Sequence, residues 1–355
     1  MHKITIYMFK KYLIGFALAI TVLLSINLLL VFISELKNIG SHNYSFYVML
    51  NYIIFLIPQN ILDIFPYALL IGSMISFGSM AFHSEFVAIN SHGIGIKKTI
   101  TIIILQTFII SLLFTIGANS IAPKYSNEAQ TIKNLSLNKA LSDKNLWFRS
   151  AEYVINVNKI ITDKQLEDII IYNLDGGALS SIVTAKRGYY NQKWNFSDVE
   201  IHDLSSNKIS KRESYIIRSD DFVPFEVLKS QFNKKRYISI EDLYRNINFH
   251  NKAGIPFENH KVIFWKKVLL PFSCCIIVFV GLPFLFVSMR STNQSQRLII
   301  GVLFGITYFV LTSIIINFGL ILGIPALPSV LISMIFFALI GYYLFNKLVK
   351  KNIPI

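Results

Sequence analysis

Tyr12–Ser34 reads YLIGFALAITVLLSINLLLVFIS, with no charged residue along its length. A charge in hydrocarbon is costly, so a run of this kind is a membrane span. It is too long for the apolar core of a secretory signal and has no A-x-A site after it, so it reads as a retained first span behind Lys3, Lys10 and Lys11. Working outward, five further apolar runs follow, at about 60–82, 99–121, 263–288, 298–322 and 327–346. Each is near the roughly 20 residues that cross a bilayer. Phe46–Ile57 leads into the second, and Pro58 and Pro66 are expected to break or kink the chain near its start. Gly323-Ile324-Pro325-Ala326-Leu327-Pro328 is a tight turn between the fifth and sixth.

Charge separates the chain into parts. Of 355 residues, 53% are hydrophobic and 15% charged, below the roughly 25% of soluble domains. Only Glu35, Asp63 and Glu85 are acidic outside 123–261. That central stretch holds 21 Lys+Arg and 17 Asp+Glu, a surplus of 4. Most of the net +14 therefore lies beside the spans, which argues against nucleic acid as the reason for it. It is a topology signal instead. Lys3, Lys10, Lys11, Lys97, Lys98, Arg290, Arg297, Lys347, Lys350 and Lys351 flank one side, whereas loop 35–46 and turn 323–328 carry only Lys37. The positive-inside rule then places both termini and loops 83–98 and 289–297 in the cytoplasm, and 123–261 outside it. Lys266 and Lys267 go against the rule, which long translocated domains weaken.

The central stretch reads as β. Tyr153–Val157, Ile169–Tyr172, Ser181–Ala185, Lys193–Phe196 and Val199–His202 are short apolar strands, with a turn at Asp175-Gly176-Gly177. Their spacing predicts a sandwich, roll or open barrel. A helix is predicted over 240–252, capped by Ser239 with Asp242 three later and ended by Gly254 and Pro256. The expected fold is an α-helical membrane protein of six transmembrane helices with an inserted all-β, jellyroll-like periplasmic domain. Its parts are 1–122 with spans one to three, 123–261, and 262–355 with spans four to six.

Motifs for catalysis are absent from the sequence: no Gly-Lys of a nucleotide-binding loop, no H-E-x-x-H, no C-x-x-C, no G-x-S-x-G. His83 and His92 are too far apart for a common metal site and read as solvated loop residues, and adjacent Cys274 and Cys275 read as lipid-facing or core side chains. No enzyme, cofactor or metal is expected. Residues 84–93 do carry a signal. Ser84 resembles a cap, Phe86, Ile89 and Asn90 follow at helical spacing, and Gly93 ends the run. A helix lying on lipid should be basic on its polar face. This one carries Glu85, which favours docking into a basic groove of a cytoplasmic partner. Small residues at four-residue spacing, Ala68, Gly72 and Ser76, suit packing within the chain, while Gly301 and Gly305 suit contact with a second chain and packing within the chain equally.

Phe65-Pro66-Tyr67-Ala68-Leu69-Leu70-Ile71-Gly72, His83-Ser84-Glu85-Phe86-Val87, Ala122-Pro123, Leu146-Trp147-Phe148, Trp265-Lys266-Lys267 with Pro271 and Ser273, and Gly323-Ile324-Pro325 with Pro328 carry a resemblance over essentially the whole chain. The chain resembles the lipopolysaccharide export permeases of the LptF/LptG (YjgP/YjgQ) family, on the LptG side. The resemblance implies a non-catalytic subunit of an ABC transporter in the bacterial inner membrane. It implies four partners: a second, LptF-like permease, an LptB-like cytoplasmic ATPase dimer, an LptC/LptA-like periplasmic bridge, and lipopolysaccharide taken from the outer leaflet. Glu85 matches the acidic coupling residue, with Ser84, Phe86 and Ile89 beside it on the ATPase-gripped helix. Lys37, Lys133 and Lys267 match basic positions that meet lipid phosphates, and Gly301 and Gly305 fall at the permease–permease interface. Asn38 stands where the family often has a second lysine, and Asp63 is an acid its pattern does not ask for. The alternative from another class is a membrane receptor with an outer β ligand-binding domain, which would want a cytoplasmic signalling domain where the chain offers short ends.

Overall fold

The computed structural model describes residues 2–138, 146–149, 153–162, 165–175, 178–191, 193–204, 208–217, 238–252, 258–286 and 294–349. They fall into two compact units. One comprises Met1–Ser34, Leu56–Ala122 and Lys261–Ile355, and the other Glu35–Phe55 and Pro123–His260.

The first unit is helical. Helices α1 (His2–Leu36), α2 (Phe46–Phe82), α4 (Ile96–Ser136), α8 (Gln294–Ile321) and α9 (Ala326–Leu344) are each long and apolar enough to cross a membrane. The short α3 (Glu85–Ser91) joins α2 to α4. Helices α6 (Glu258–Val268) and α7 (Leu270–Phe286) are long and apolar enough only together, as a pair bent by 65° that counts as a sixth span if the two cross as one. The sequence predicts an unbroken span there. Pro271 explains the break, because it donates no N–H and its ring crowds the carbonyl of Lys267. Pro58 and Pro66, by contrast, lie inside a continuous α2, and the lead-in 46–57 is part of that helix. Pro123 likewise sits within α4, which runs on past the expected boundary of the span.

Helices α1 and α2 cross with their backbones in contact. A Cβ on Gly72 would lie 2.6 Å from the Cα of Phe16, and one on Gly15 would lie 2.7 Å from the carbonyl oxygen of Gly72. Ser76 Oγ donates to the carbonyl of Lys11 at 2.7 Å. The small residues Gly72 and Ser76 are therefore spent within the chain, as the sequence suggests. Around this crossing Tyr12, Phe65, Leu69, Phe77 and Cys274 are buried in one core.

The second unit holds the inserted β domain. Strands β1 (Leu146–Arg149), β2 (Tyr153–Thr162), β3 (Gln165–Asp175), β4 (Ala178–Asn191), β5 (Lys193–Asp203) and β6 (Lys208–Ile217) pair in order as an antiparallel meander. Asp175 pairs with Ala178 across the predicted turn, whose Gly176 and Gly177 lie outside the described residues. Strand alternation cannot put residues three apart on one face. Yet Leu166 and Ile169 of β3, Ala185 and Gly188 of β4, and Phe196 and Val199 of β5 are all buried. The alternation slips once in each strand. On β3 and β5 the slip falls at Asp168 (φ 53°) and Asp198 (φ 56°), both left-handed, and on β4 at Lys186–Arg187. Pairs Ile169↔Ala185 and Glu167↔Arg187, and Ala185↔Val199 and Arg187↔Ser197, show that the slips line up across the sheet. The sheet is creased there, and both panels face one core containing Trp194, Phe196 and Leu166 from one side and Ile155, Ile171 and Val183 from the other. Gly188 makes room at the fold: a Cβ there would meet Phe196 Cε1 at 2.9 Å and Ile169 Cδ1 at 3.2 Å. Among the described strands the domain is thus a single antiparallel sheet paired in chain order, with these slips across its middle.

The predicted helix is α5 (Ile240–Lys252). Ser239 Oγ accepts from the Asp242 amide at 3.0 Å and donates to the Asp242 carboxylate at 2.7 Å. Gly254 and Pro256 lie outside the described residues.

Candidate functional site

The acidic turn-helix after α2 is built from its buried side. Phe86 and Ile89, 3% and 8% exposed, enter the core formed with Phe77, Met80, Ala81 and Ile94. Gly93 (φ 83°) ends α3, with the Ile94 amide on the Ile89 carbonyl and the Gly93 amide on that of Asn90, a left-handed C-terminal cap. The N-terminus differs from the sequence reading. Ser84 takes a left-handed backbone (φ 56°) and its hydroxyl makes no cap bond. Its carbonyl accepts from Val87 and Ala88 instead. Phe86 and Ile89 therefore fasten the helix to its own chain. The face left open consists of Val87, Ala88, Asn90, Ser91 and His92.

Glu85 is tied inward as well. Tyr7 Oη donates to its Oε2 at 3.0 Å, and Lys11 Nζ lies 3.8 Å from its Oε1. Tyr7 and Lys11 stand one turn apart on α1, with the ammonium 5.5 Å from the Tyr7 ring centre. The Glu85 side chain keeps a quarter of its surface open. Sequence reasoning misses Tyr7 and Lys11, because 78 residues separate Tyr7 from Glu85 and no motif links them.

The three lysines matched to phosphate contact are not equivalent. Lys37 is exposed in the loop after α1. Lys133 is not a free cation: its Nζ is bonded to Oε1 of Glu35 and lies 4.9 Å from the Tyr52 ring centre. An ion pair with the nearby acid satisfies it within the chain. Lys267 is half-buried in the last turn of α6, in the other unit.

Gly301 and Gly305 also differ from expectation. Both are buried within the chain. A Cβ on Gly301 would lie 2.8 Å from Met74 Cγ, and one on Gly305 would lie 3.2 Å from Leu70 Cδ2. Their close approach is to α2. The outward faces are larger and apolar: Ile14, Leu18, Val22, Ile26, Leu29 and Ile33 on α1, and Val302, Leu303, Ile306, Phe309 and Val310 on α8. No group of three metal-binding side chains occurs among the described residues. His83 and His92 are exposed, each with Nδ1 against the carbonyl four residues earlier.

Long apolar helices, an acidic helix on their connection and a β domain inserted after the third span define a multi-pass membrane protein of the permease class. The model of the lipopolysaccharide export system permease LptF/LptG family matches residues 6–347, and the chain belongs to that family. It is 25% identical over 334 residues to lipopolysaccharide export system permease protein LptG of Haemophilus influenzae, covering 92% of this chain and 93% of that one. It is 22% identical over 335 residues to LptG of Escherichia coli K12, covering 92% of each.

Proposed function

We propose that the chain is a non-catalytic membrane subunit of an ATP-driven exporter that takes lipopolysaccharide from the outer leaflet of the bacterial inner membrane. Both termini and α3 face the cytoplasm and the β domain faces the periplasm, the arrangement that the basic flanks favour. A cytoplasmic ATPase dimer grips α3 through Val87, Asn90 and Ser91 and through the open side of Glu85. Because Phe86 and Ile89 fix α3 to the helical core and Glu85 is joined to Tyr7 and Lys11, a push on α3 is delivered to α1. The outward faces of α1 and α8 meet a second, homologous permease and shift with it, squeezing a lipid cavity between the two chains. Lys37 meets a lipid phosphate at the outer surface. The creased β domain passes the lipid to a periplasmic bridge protein, and its apolar interior shields acyl chains.

The observation that supports this reading most is the bond of Tyr7 and Lys11 to Glu85, since it gives a partner on α3 a path into the span. Co-purification tests it. The chain, tagged and extracted in mild detergent, should bring down a cytoplasmic ATPase, and Glu85→Lys should lose it. A wild-type chain that retains no ATPase would overturn the reading.

A further inference from the structure

Between α4 and α7, inside the helical unit, runs an open apolar groove of about 550 Å³. Ile100, Ile104 and Phe108 of α4 and Phe272, Ile276 and Phe279 of α7 line it. Phe108 and Phe272, with ring centres 5.4 Å apart, meet at one end. Cys275 Sγ backs the floor, donating to the Ile104 carbonyl at 3.7 Å. From Ile100 to Phe108 the helix rises about 12 Å, close to the roughly 15 Å of one leaflet's hydrocarbon. The volume lies within the roughly 300–1,000 Å³ of ligand pockets.

The other end is basic. Lys97 and Lys98 are both exposed. Lys97 stands one helical turn before Ile100 and Thr101 and two turns before Ile104, so it shares the face that lines the groove. Lys98 stands two turns before Leu105, which also borders it. Among the described residues no acid pairs with either lysine. Helix α4 carries no acid before Glu128, and α7 carries none. The positive-inside rule explains why lysines lie at this end of the span. It does not explain an apolar groove on the face beneath them.

A phospholipid supplies both missing parts, an acyl chain for the groove and an anionic phosphate for the ammonium pair. We propose that the groove holds one acyl chain of an anionic glycerophospholipid of the cytoplasmic leaflet, with its phosphate on Lys97 and Lys98. The leaflet rests on the orientation given above, whereas the pairing of groove and lysines does not.

The test uses the full-length chain in phosphatidylcholine nanodiscs, doped with phosphatidylglycerol or phosphatidylcholine brominated on the acyl chain. Leu105→Trp puts a fluorophore on the groove's rim, at a site 57% exposed, and Ile14→Trp puts one on the open face of α1, at a site 60% exposed. Each is read against the unsubstituted chain. Brominated phosphatidylglycerol should half-quench Leu105→Trp at a roughly tenfold lower mole fraction than brominated phosphatidylcholine. Adding Lys97→Gln and Lys98→Gln should abolish that difference. Ile14→Trp should answer to both lipids alike. Equal quenching of Leu105→Trp by the two lipids, a preference that survives the glutamines, or the same preference at Ile14→Trp would overturn the site. Quenching of Leu105→Trp by neither lipid would give the groove to a protein segment and overturn it too. None of these readings needs the ATPase. A chain that captures ATPase without preferring the anionic lipid loses this site alone, and one that prefers the lipid but captures no ATPase loses the export reading alone.

Discussion

The Tyr7 hydroxyl and the Glu85 carboxylate are joined at 3.0 Å, so the short helix between the second and third spans is hydrogen-bonded to the start of the first. Lys11 adds its charge 3.8 Å away. An acid that reads in the sequence as a contact for a partner is thus also a strut inside the permease. Under the proposed function, a partner cation approaching Glu85 would compete with Lys11 and bear on α1 at the same moment.

Tyr7→Phe separates the two roles. It removes one hydrogen bond to a charged group, a net contribution of about 1.5–3 kcal/mol, and leaves Glu85 charged. The ATPase should still co-purify, while lipopolysaccharide release per ATP hydrolysed falls. Retention of full release in a reconstituted assay would show that the strut carries no signal.

The two faces of α3 should answer differently to truncation. Phe86→Ala empties a buried aromatic site, a change of about 3–5 kcal/mol, and should lower the thermal unfolding midpoint of the detergent-solubilised chain. Val87→Ala, on a side chain 52% exposed, should leave the midpoint nearly unchanged and weaken ATPase capture. Equal loss of midpoint in both variants would contradict the assignment of faces.

Gly301→Leu should destabilise the chain itself, because its side chain runs into Met74. Leu303→Ala, on the outward face of the same helix, should instead loosen association with the second permease. Crosslinking yield between the permeases, set beside the unfolding midpoint, tells them apart. A Gly301→Leu chain of normal midpoint with lost crosslinking would return the glycine to the interface.

In the β domain, Gly188→Ala should strain the crease. The added methyl stands 2.9 Å from the Phe196 ring, and overpacking of this kind costs about 1–3 kcal/mol. Loss of protection in hydrogen exchange should concentrate on β3, β4 and β5. Unaltered exchange would mean that the ring moves aside freely.

Charge and hydropathy made much of this legible. The spans, the β insertion, the cap at Ser239 and the stop at Gly93 follow from local rules, because each depends on residues within one or two turns of one another. What escaped was set by distant partners. Small residues on a helix say that something comes close, but not that Gly301 meets Met74 rather than another chain. Lysines beside a span say that anions are welcome, but not that Lys133 already holds Glu35. The helical spacing of Phe86 and Ile89 marks an apolar face without saying whether it looks inward or toward a partner. The crease was hidden because Asp168 and Asp198 look like ordinary polar positions until the alternation on either side is counted.

The central claim is that this chain moves lipopolysaccharide under the power of a separate ATPase acting through α3. The direct measurement is transfer from proteoliposomes holding the chain, a second permease of the family and the ATPase to a soluble acceptor. Glu85→Lys, which reverses a charge in a contact of the kind that can carry roughly 2–5 kcal/mol, serves as the control. The account predicts ATP-dependent appearance of lipopolysaccharide on the acceptor with the wild type and none above background with Glu85→Lys. Equal transfer with and without ATP, or Glu85→Lys transferring as the wild type does, would contradict it.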